Sequence, residues 1–335
     1  MKIIPIQWLR DSLFALLLGE LISGAVLAQA GAPPDPPRPG VGTPGVRRAM
    51  ADVHPLATFA VEGSPDWMVV TENAVWVTSS SVNHVVRLDA KTNRPTTIVT
   101  ISKPCSGLAA GFGSLWVPSC ASHRLFRVHA ATGKVQAELP VGPADSEGGI
   151  TIGAGSVWMA SDKKGILARI DPEANRVVAE IAIPSGSFAP AFADGALWIT
   201  STEHNLLTRV DPQSNRVVTS VPIGLQPRFI ATGAGSVWTL NQGDGTISRV
   251  DTKSNRLIAT IEAGIPGSGG EIAFGEGSLW ATVFQIPMTR IDPATNSVVQ
   301  QWWGTGGDSI RVGHGSIWLT DLAHAKVWRL DPKQP

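Results

Sequence analysis

A tryptophan set in an apolar triplet returns along this chain at Trp76, Trp116, Trp158, Trp198, Trp238, Trp280 and Trp318, with gaps of 40, 42, 40, 40, 42 and 38 residues. Between them comes an Arg-x-Asp triplet, at Arg87 to Asp89, Arg169 to Asp171, Arg209 to Asp211, Arg249 to Asp251, Arg290 to Asp292 and Arg329 to Asp331. Arg127-Val128-His129 is the one variant. Self-similarity at this period marks a repeat architecture, and it overrides the two or three domains that 335 residues would otherwise suggest. No window sustains a helical apolar period, which excludes a solenoid of helices.

Each unit holds four short strands: an inner one such as Phe229 to Ala231, the Trp strand, the Arg-x-Asp strand, and an outer one such as Arg176 to Ile181. Gly-x-Gly-Ser before the tryptophan supplies the first hairpin turn, and Asp171-Pro172-Glu173-Ala174-Asn175 has the residues of a tight turn before the outer strand. Four strands in about forty residues describe a propeller blade. After Trp318 only two more strands follow, through Leu330, while Pro55 to Val61 reads as an outer strand and Trp67 to Val70 as an inner one. The expected fold is therefore all-β, a seven-bladed β-propeller closed by its N-terminal outer strand, which leaves no open sheet edge at the seam. The recurring tryptophans read as packing between sheets, and the recurring Arg and Asp as blade-to-blade or turn-stabilising groups.

The first thirty residues differ from the rest. Lys2 and Arg10 precede an apolar run from Leu13 to Leu18, and the stretch ends at Ala28-Gln29-Ala30, as in a signal peptide with its cleavage site. Glu20 interrupts the run and argues against a permanent span, an uncleaved anchor being the alternative. Residues 31–50, with Pro33, Pro34, Pro36, Pro37 and Pro39, read as an extended, solvated linker, and residues 51–335 as the propeller. A periplasmic or secreted chain with no membrane span after signal removal is expected, acting as a monomer. With 27 basic and 27 acidic side chains there is no broad positive field, so nucleic acid is not an expected partner.

Cys105 and Cys120 lie equally far from the centre of the hairpin at Gly111-Phe112-Gly113-Ser114 and should face each other across the first two strands of one blade. In an exported chain that placement predicts a disulfide, the alternative being two buried free thiols.

Propellers bind at one mouth of the channel, where the loops entering the inner strand and those joining the second and third strands converge. Ten or eleven residues before each repeated tryptophan stand Asp66, Ser106, Glu147, Phe188, Arg228, Gly270 and Asp308, with Trp67 and Glu271 one residue later. These differ from blade to blade, as a one-off binding surface for a small-molecule or protein ligand would. Arg311 on an inner strand is a further inward-facing candidate. Arg228 could pair with one of the four carboxylates Asp66, Glu147, Glu271 and Asp308, and Mg²⁺ or Ca²⁺ could satisfy others, or all could face water-filled space. His84, His123, His204 and His324 follow their tryptophans by six to eight residues and belong to the same face. His84, His123 and His324 are on neighbouring blades and are candidate metal ligands. His54, His129 and His314 follow no pattern and read as surface or turn residues. Hydrolase, metalloprotease and phosphate-loop signatures are absent from the sequence.

The repeat, Gly-x-Gly-Ser, an aliphatic residue and Trp, then Arg-x-Asp-Pro-x-Thr/Ser-Asn-x-Val-Val, resembles those of YVTN/YncE-like propellers and of the virginiamycin B lyase family, over residues 55 to 331. In that lyase family the resemblance implies a rim histidine and glutamates holding Mg²⁺ that open a cyclic depsipeptide by elimination. Glu147 and Glu271 stand where such glutamates are expected, whereas no histidine occupies that ring. Two functions follow as expectations: a propeller that binds a ligand or partner at its rim without chemistry, or a metal-assisted lyase or hydrolase using Glu147 and Glu271 with His204 as general base.

Overall fold

Seven sheets in sequence make up the computed structural model, which describes residues 40–334. The expected signal peptide and residues 31–39 of the expected linker lie outside the described residues. Blade 4 is typical, with Ser187–Ala193 innermost, then Ala196–Ser201, Leu206–Asp211 and Arg216–Pro222, all antiparallel. Blade 7 takes its outer strand, Ala57–Ala60, from the front of the chain, and Phe59 lies opposite Val327 of Lys326–Leu330. Bonds from Leu56 N–H to Arg329 O (2.8 Å) and from Val61 N–H to Ala325 O (3.0 Å) extend that seam.

Every Trp strand is covered on both faces by neighbouring blades, which is why it reads as a continuous apolar run rather than an alternation. The seven repeated tryptophans are all fully buried. Trp76 packs with Leu115 and Val117 of blade 2, and Trp116 with Val157 and Met159 of blade 3. Each indole thus stacks one sheet on the next, at a site where truncation to Ala costs about 3–5 kcal/mol.

The Gly-x-Gly-Ser hairpin makes two bonds. The indole N–H of Trp116, Trp158, Trp238, Trp280 and Trp318 donates to the carbonyl of the glycine five residues earlier, at 2.9 to 3.4 Å. Behind it, the hairpin serine accepts from Nε of Arg127, Arg169, Arg249, Arg290 or Arg329 at 2.8 to 2.9 Å. Four of these arginines also reach into the following blade. Arg169 binds Pro212 O (2.8 Å) and Asn215 Oδ1 (3.0 Å), and Arg329 binds Ala90 O (2.6 Å) and Asn93 Oδ1 (2.9 Å) across the ring closure. Arg127 and Arg249 make the matching contacts. The Asp of each triplet caps its own turn: Asp171 Oδ1 accepts from Glu173 N–H (2.8 Å) and Ala174 N–H (3.0 Å). Bonds of this kind from the backbone and hydroxyl of Thr92 hold Asp89 down to about 2. His129 takes over the role in blade 2, its Nδ1 accepting from Ala131 and Thr132 N–H.

Blades 1 and 4 lack the motif, with Thr71-Glu72-Asn73-Ala74 and Ala193-Asp194-Gly195-Ala196 in its place. There the buried Trp76 Nε1, Trp198 Nε1, Arg87 Nε and Arg209 Nε have no partner. The substitution has a steric counterpart. A Cβ on Gly153, Gly233 or Gly275 would fall within 2.1 to 2.5 Å of Phe192, Phe274 or Val312 of the next blade. The residues in register after Thr71 and Ala193 are the smaller Ala110 and Thr232. Glycine is kept where the neighbour is large.

The part of the expected linker within the described residues is not solvated throughout. Arg47–Ala49 adds a parallel fifth strand outside Ser297–Trp303 of blade 6, and Val46, Met50 and Val53 are buried against it. Val41 N–H donates to Gln301 Oε1 at 2.9 Å. A three-residue strand with exposed side chains shows no alternation in the sequence, and the prolines before it pointed the other way. Among the described residues, no helix is long and apolar enough to cross a membrane.

Cys105 and Cys120 form a disulfide with Cα atoms 5.9 Å apart. The inner strand of blade 2, Ala109–Gly111, has ended before Cys105, and a bridge between Pro104 and Ser119 shifts the register locally. The bond therefore staples the mouth end of a blade whose inner strand is only three residues long.

Candidate functional site

The loops entering the inner strands carry the variable residues to one end of the channel, since the blades share a register. Aromatic side chains close the opening. Trp67 of blade 1 reaches Phe229 of blade 5, ring centroids 5.6 Å apart, and Phe229 meets Phe188 of blade 4 edge-on at 5.8 Å. All three are nearly or fully buried. Above this plug lies a cavity of about 90 Å³ bordered by Asp66, Glu147 and Asp308, and below it one of about 60 Å³ bordered by Glu271 and Arg311.

The charged residues form three sets. Glu147 pairs with Arg228, whose NH2 lies 2.7 Å from Oε2, and the guanidinium rests 4.6 Å above the Phe188 ring. Glu271, 4% exposed, binds Arg311 through Oε1, while its Oε2 accepts from Ser309 Oγ (2.5 Å) and Ile310 N–H (3.3 Å). Desolvation raises the Glu271 carboxyl above its ordinary value, against the pull of Arg311 and Ser309. Asp66 and Asp308, from adjoining blades 1 and 7, border the same cavity. Burial, then the nearby Asp308 charge, pushes Asp66 well above the usual carboxylate range. Burial also raises Asp308, although Gly270 N–H donates to its Oδ1 at 2.5 Å. Both shifts run in the direction that favours the neutral form, because two adjacent negative charges out of water repel.

Of the residues expected at the mouth, Asp66, Trp67, Glu147, Phe188, Arg228, Glu271, Asp308 and Arg311 all gather at the plug. The histidines do not. His204 Nε2 sits 2.9 Å from Ser185 Oγ, which also donates to Glu203 Oε2 at 2.8 Å. His324 Nδ1 turns back to Asp321 Oδ2 of its own turn at 2.8 Å. None of the seven histidines borders either cavity. Among the described residues, no three His, Cys, Asp or Glu side chains are grouped so as to hold a metal. Of His84, His123 and His324, only His324 has a side-chain partner within its own turn, while His84 Nδ1 is buried without a hydrogen-bond partner. Among the described residues, Glu147 and Glu271 face arginines, whereas Asp66 and Asp308 make no salt bridge.

Phe229 and Ser309 escaped the sequence reading, although they occupy the same register position as Trp67 and Glu271. Counting one residue further in every blade would have found them. Phe284, half exposed on the loop of blade 6, borders the upper cavity and carries no repeat signal at all. An open groove of about 610 Å³ continues outward from Phe188 and Arg228 between blades 4 and 5, past the exposed Leu225.

No protein-family model and no curated protein matches this chain. Solved structures do, and they are virginiamycin B lyase-like propellers. A streptogramin B lyase is 19% identical, covering 82% of this chain and 96% of its own, with a TM-score of 0.70. Virginiamycin B lyase from Staphylococcus aureus is 20% identical over 82% of this chain and 98% of its own, with a TM-score of 0.67. A catalytically inactive histidine-to-alanine variant of that lyase, with quinupristin, is 20% identical over 80% of this chain and 94% of its own, at a TM-score of 0.67. At these identities the likeness is one of fold.

Proposed function

We propose that this chain is an exported propeller that binds a ligand at the mouth of its channel without transforming it. The observation that carries the reading is the state of the mouth's glutamates: Glu147 and Glu271 each face an arginine, and no histidine borders either cavity. Such groups orient and neutralise a bound molecule, whereas proton transfer needs a base free to take the proton. The aromatic plug, with the groove beside it, offers apolar surface with a few convergent polar groups, the usual make-up of a ligand site. Export is supported by the leader-like first thirty residues and by a disulfide, which oxidising compartments sustain.

The test is a thermal-shift screen of small molecules on the full chain beside Arg228→Ala. Molecules that raise the melting temperature of the wild type but not of the variant, and that chromatography recovers unchanged, support binding at this mouth. If such molecules are converted instead, the non-catalytic reading fails.

A second reading, the metal-assisted lyase, draws on the shared fold alone, and the pairing of both glutamates runs against it. Quinupristin incubated with the protein and Mg²⁺ decides it by chromatography. Ring opening lost in Glu271→Gln would establish that reading; intact quinupristin removes it.

A further inference from the structure

Building on the proposed binding role, we infer that the cavity of about 90 Å³ above the plug receives an α-ammonium group with its adjacent carbonyl, as at the N-terminus of a peptide. Three carboxyls, Asp66, Glu147 and Asp308, border this cavity together with three aromatic rings, Trp67, Phe229 and Phe284, and no basic side chain is among its walls. Carboxyls and ring faces together attract a compact cation more than any neutral or anionic group. The second observation is independent of charge. Trp67 is 5% exposed and borders the cavity, and its indole N–H has no hydrogen-bond partner. A buried donor left unpaired costs about 1–3 kcal/mol, so a ligand that brings an oxygen acceptor recovers that loss. A bare amine satisfies only the carboxyls. An ammonium with a carbonyl two bonds away satisfies both, and the volume, about three waters at ~30 Å³ each, admits such a head group but not a whole ring. Amine capture is one of the recurring modes of peptide recognition.

Asp66 and Asp308 bring a proton-linked element to the site. An arriving ammonium favours the charged form of both carboxyls, against the burial that raises them. The groups facing the cavity or its walls that set this balance are Asp66, Asp308, Glu147, Glu271, Arg228 and Arg311.

Calorimetry on the full chain near neutral pH, with three small probes, separates the parts. Glycinamide carries both features, methylammonium only the charge, and acetamide only the carbonyl. Glycinamide is expected to bind at least tenfold more tightly than acetamide and several-fold more tightly than methylammonium. Asp308→Asn should lower glycinamide affinity about tenfold. Trp67→Phe should abolish the preference for glycinamide over methylammonium while leaving methylammonium affinity within twofold. Equal binding of glycinamide and acetamide would overturn the inference, as would a preference that survives in Trp67→Phe. Should either variant fail to fold, the ranking of the three probes on the wild type still decides. If no probe binds while the thermal-shift screen yields ligands dependent on Arg228, the ammonium assignment falls and the binding role stands.

Discussion

The two ends of the channel are built by opposite rules. At the hairpin end, five of seven blades repeat the same indole-to-glycine and arginine-to-serine bonds, so that one solution serves almost the whole ring. At the mouth, the matched positions hold Asp, Ser, Glu, Phe, Arg, Gly and Asp, and no residue recurs except the aspartates of the adjoining blades 1 and 7. Repetition at one end fixes the blades relative to each other. That rigidity lets the other end place unlike residues at chosen points without each having to stabilise the fold. The difference teaches where stability and recognition reside: a change at the hairpin end should weaken the protein and spare binding, and a change at the mouth should do the reverse.

The sharpest way to break that division is Trp158→Ala. Loss of a fully buried indole between blades 3 and 4 should cost about 3–5 kcal/mol in chemical denaturation. Ligand affinity measured well below the new melting point should be unchanged. Trp198→Ala in blade 4, whose indole N–H is already unpaired, should cost roughly 1 kcal/mol less. Equal losses would mean that the glycine carbonyl bond contributes nothing.

Arg311→Ala tests the one mouth residue expected to cross the division. It strands Glu271, which is 4% exposed, without its counter-ion. A loss of about 3 kcal/mol near neutral pH is expected. Because burial raises the Glu271 carboxyl in the folded state, protonation favours folding, and the deficit should shrink as the pH falls toward the ordinary carboxylate value.

Asp66→Asn should move in the other direction. A carboxyl raised in the folded state favours the native form while it is protonated and loses that advantage as pH rises from its unfolded value through its folded one. Removing it should therefore raise the melting temperature near neutral pH by roughly 2 °C, about the effect of 1 kcal/mol in a domain of this size, and have no effect at pH 3. A melting curve with the same shift at both pH values would show that the charge plays no part. Stabilisation by losing a mouth residue is the trade that binding sites make.

Smallest is the repair of blade 4. Ala196→Ser restores the hydroxyl that accepts from the repeat arginine in five other blades, and should give the buried Arg209 Nε a partner and about 1 kcal/mol of stability. No gain on denaturation would break the claim that this bond, rather than packing, is what the serine provides.

The blade count, the ring closure, the disulfide and part of the mouth could be read from spacing, because spacing in a register-locked repeat is geometry; Phe284 at the upper cavity could not. Less could be read where the cause is not periodic. Arg47–Ala49 joins blade 6 by parallel backbone pairing, with the Arg47 guanidinium over the Trp303 ring, and so short a strand leaves no periodic mark in the sequence. The pairing of Glu271 with Arg311 joins adjacent blades through side chains whose reach spacing does not encode. Histidines in matched loops suggested a shared site, yet none borders either cavity, and His204 and His324 each have partners close by. His129 was set aside as patternless, although it stands at the Asp position and caps the turn as Asp does.

The seam between Ala57–Ala60 and Lys326–Leu330 also governs the order of assembly. Synthesis delivers one of these strands near the beginning and the other at the end, so six sheets can form while the seventh waits for its last strand. During that wait, two edges present rows of unsatisfied amides, which invite a second unfinished chain as readily as each other. A chain cut short by a dozen residues is consequently no slightly shorter propeller. It is an open arc, prone to aggregation.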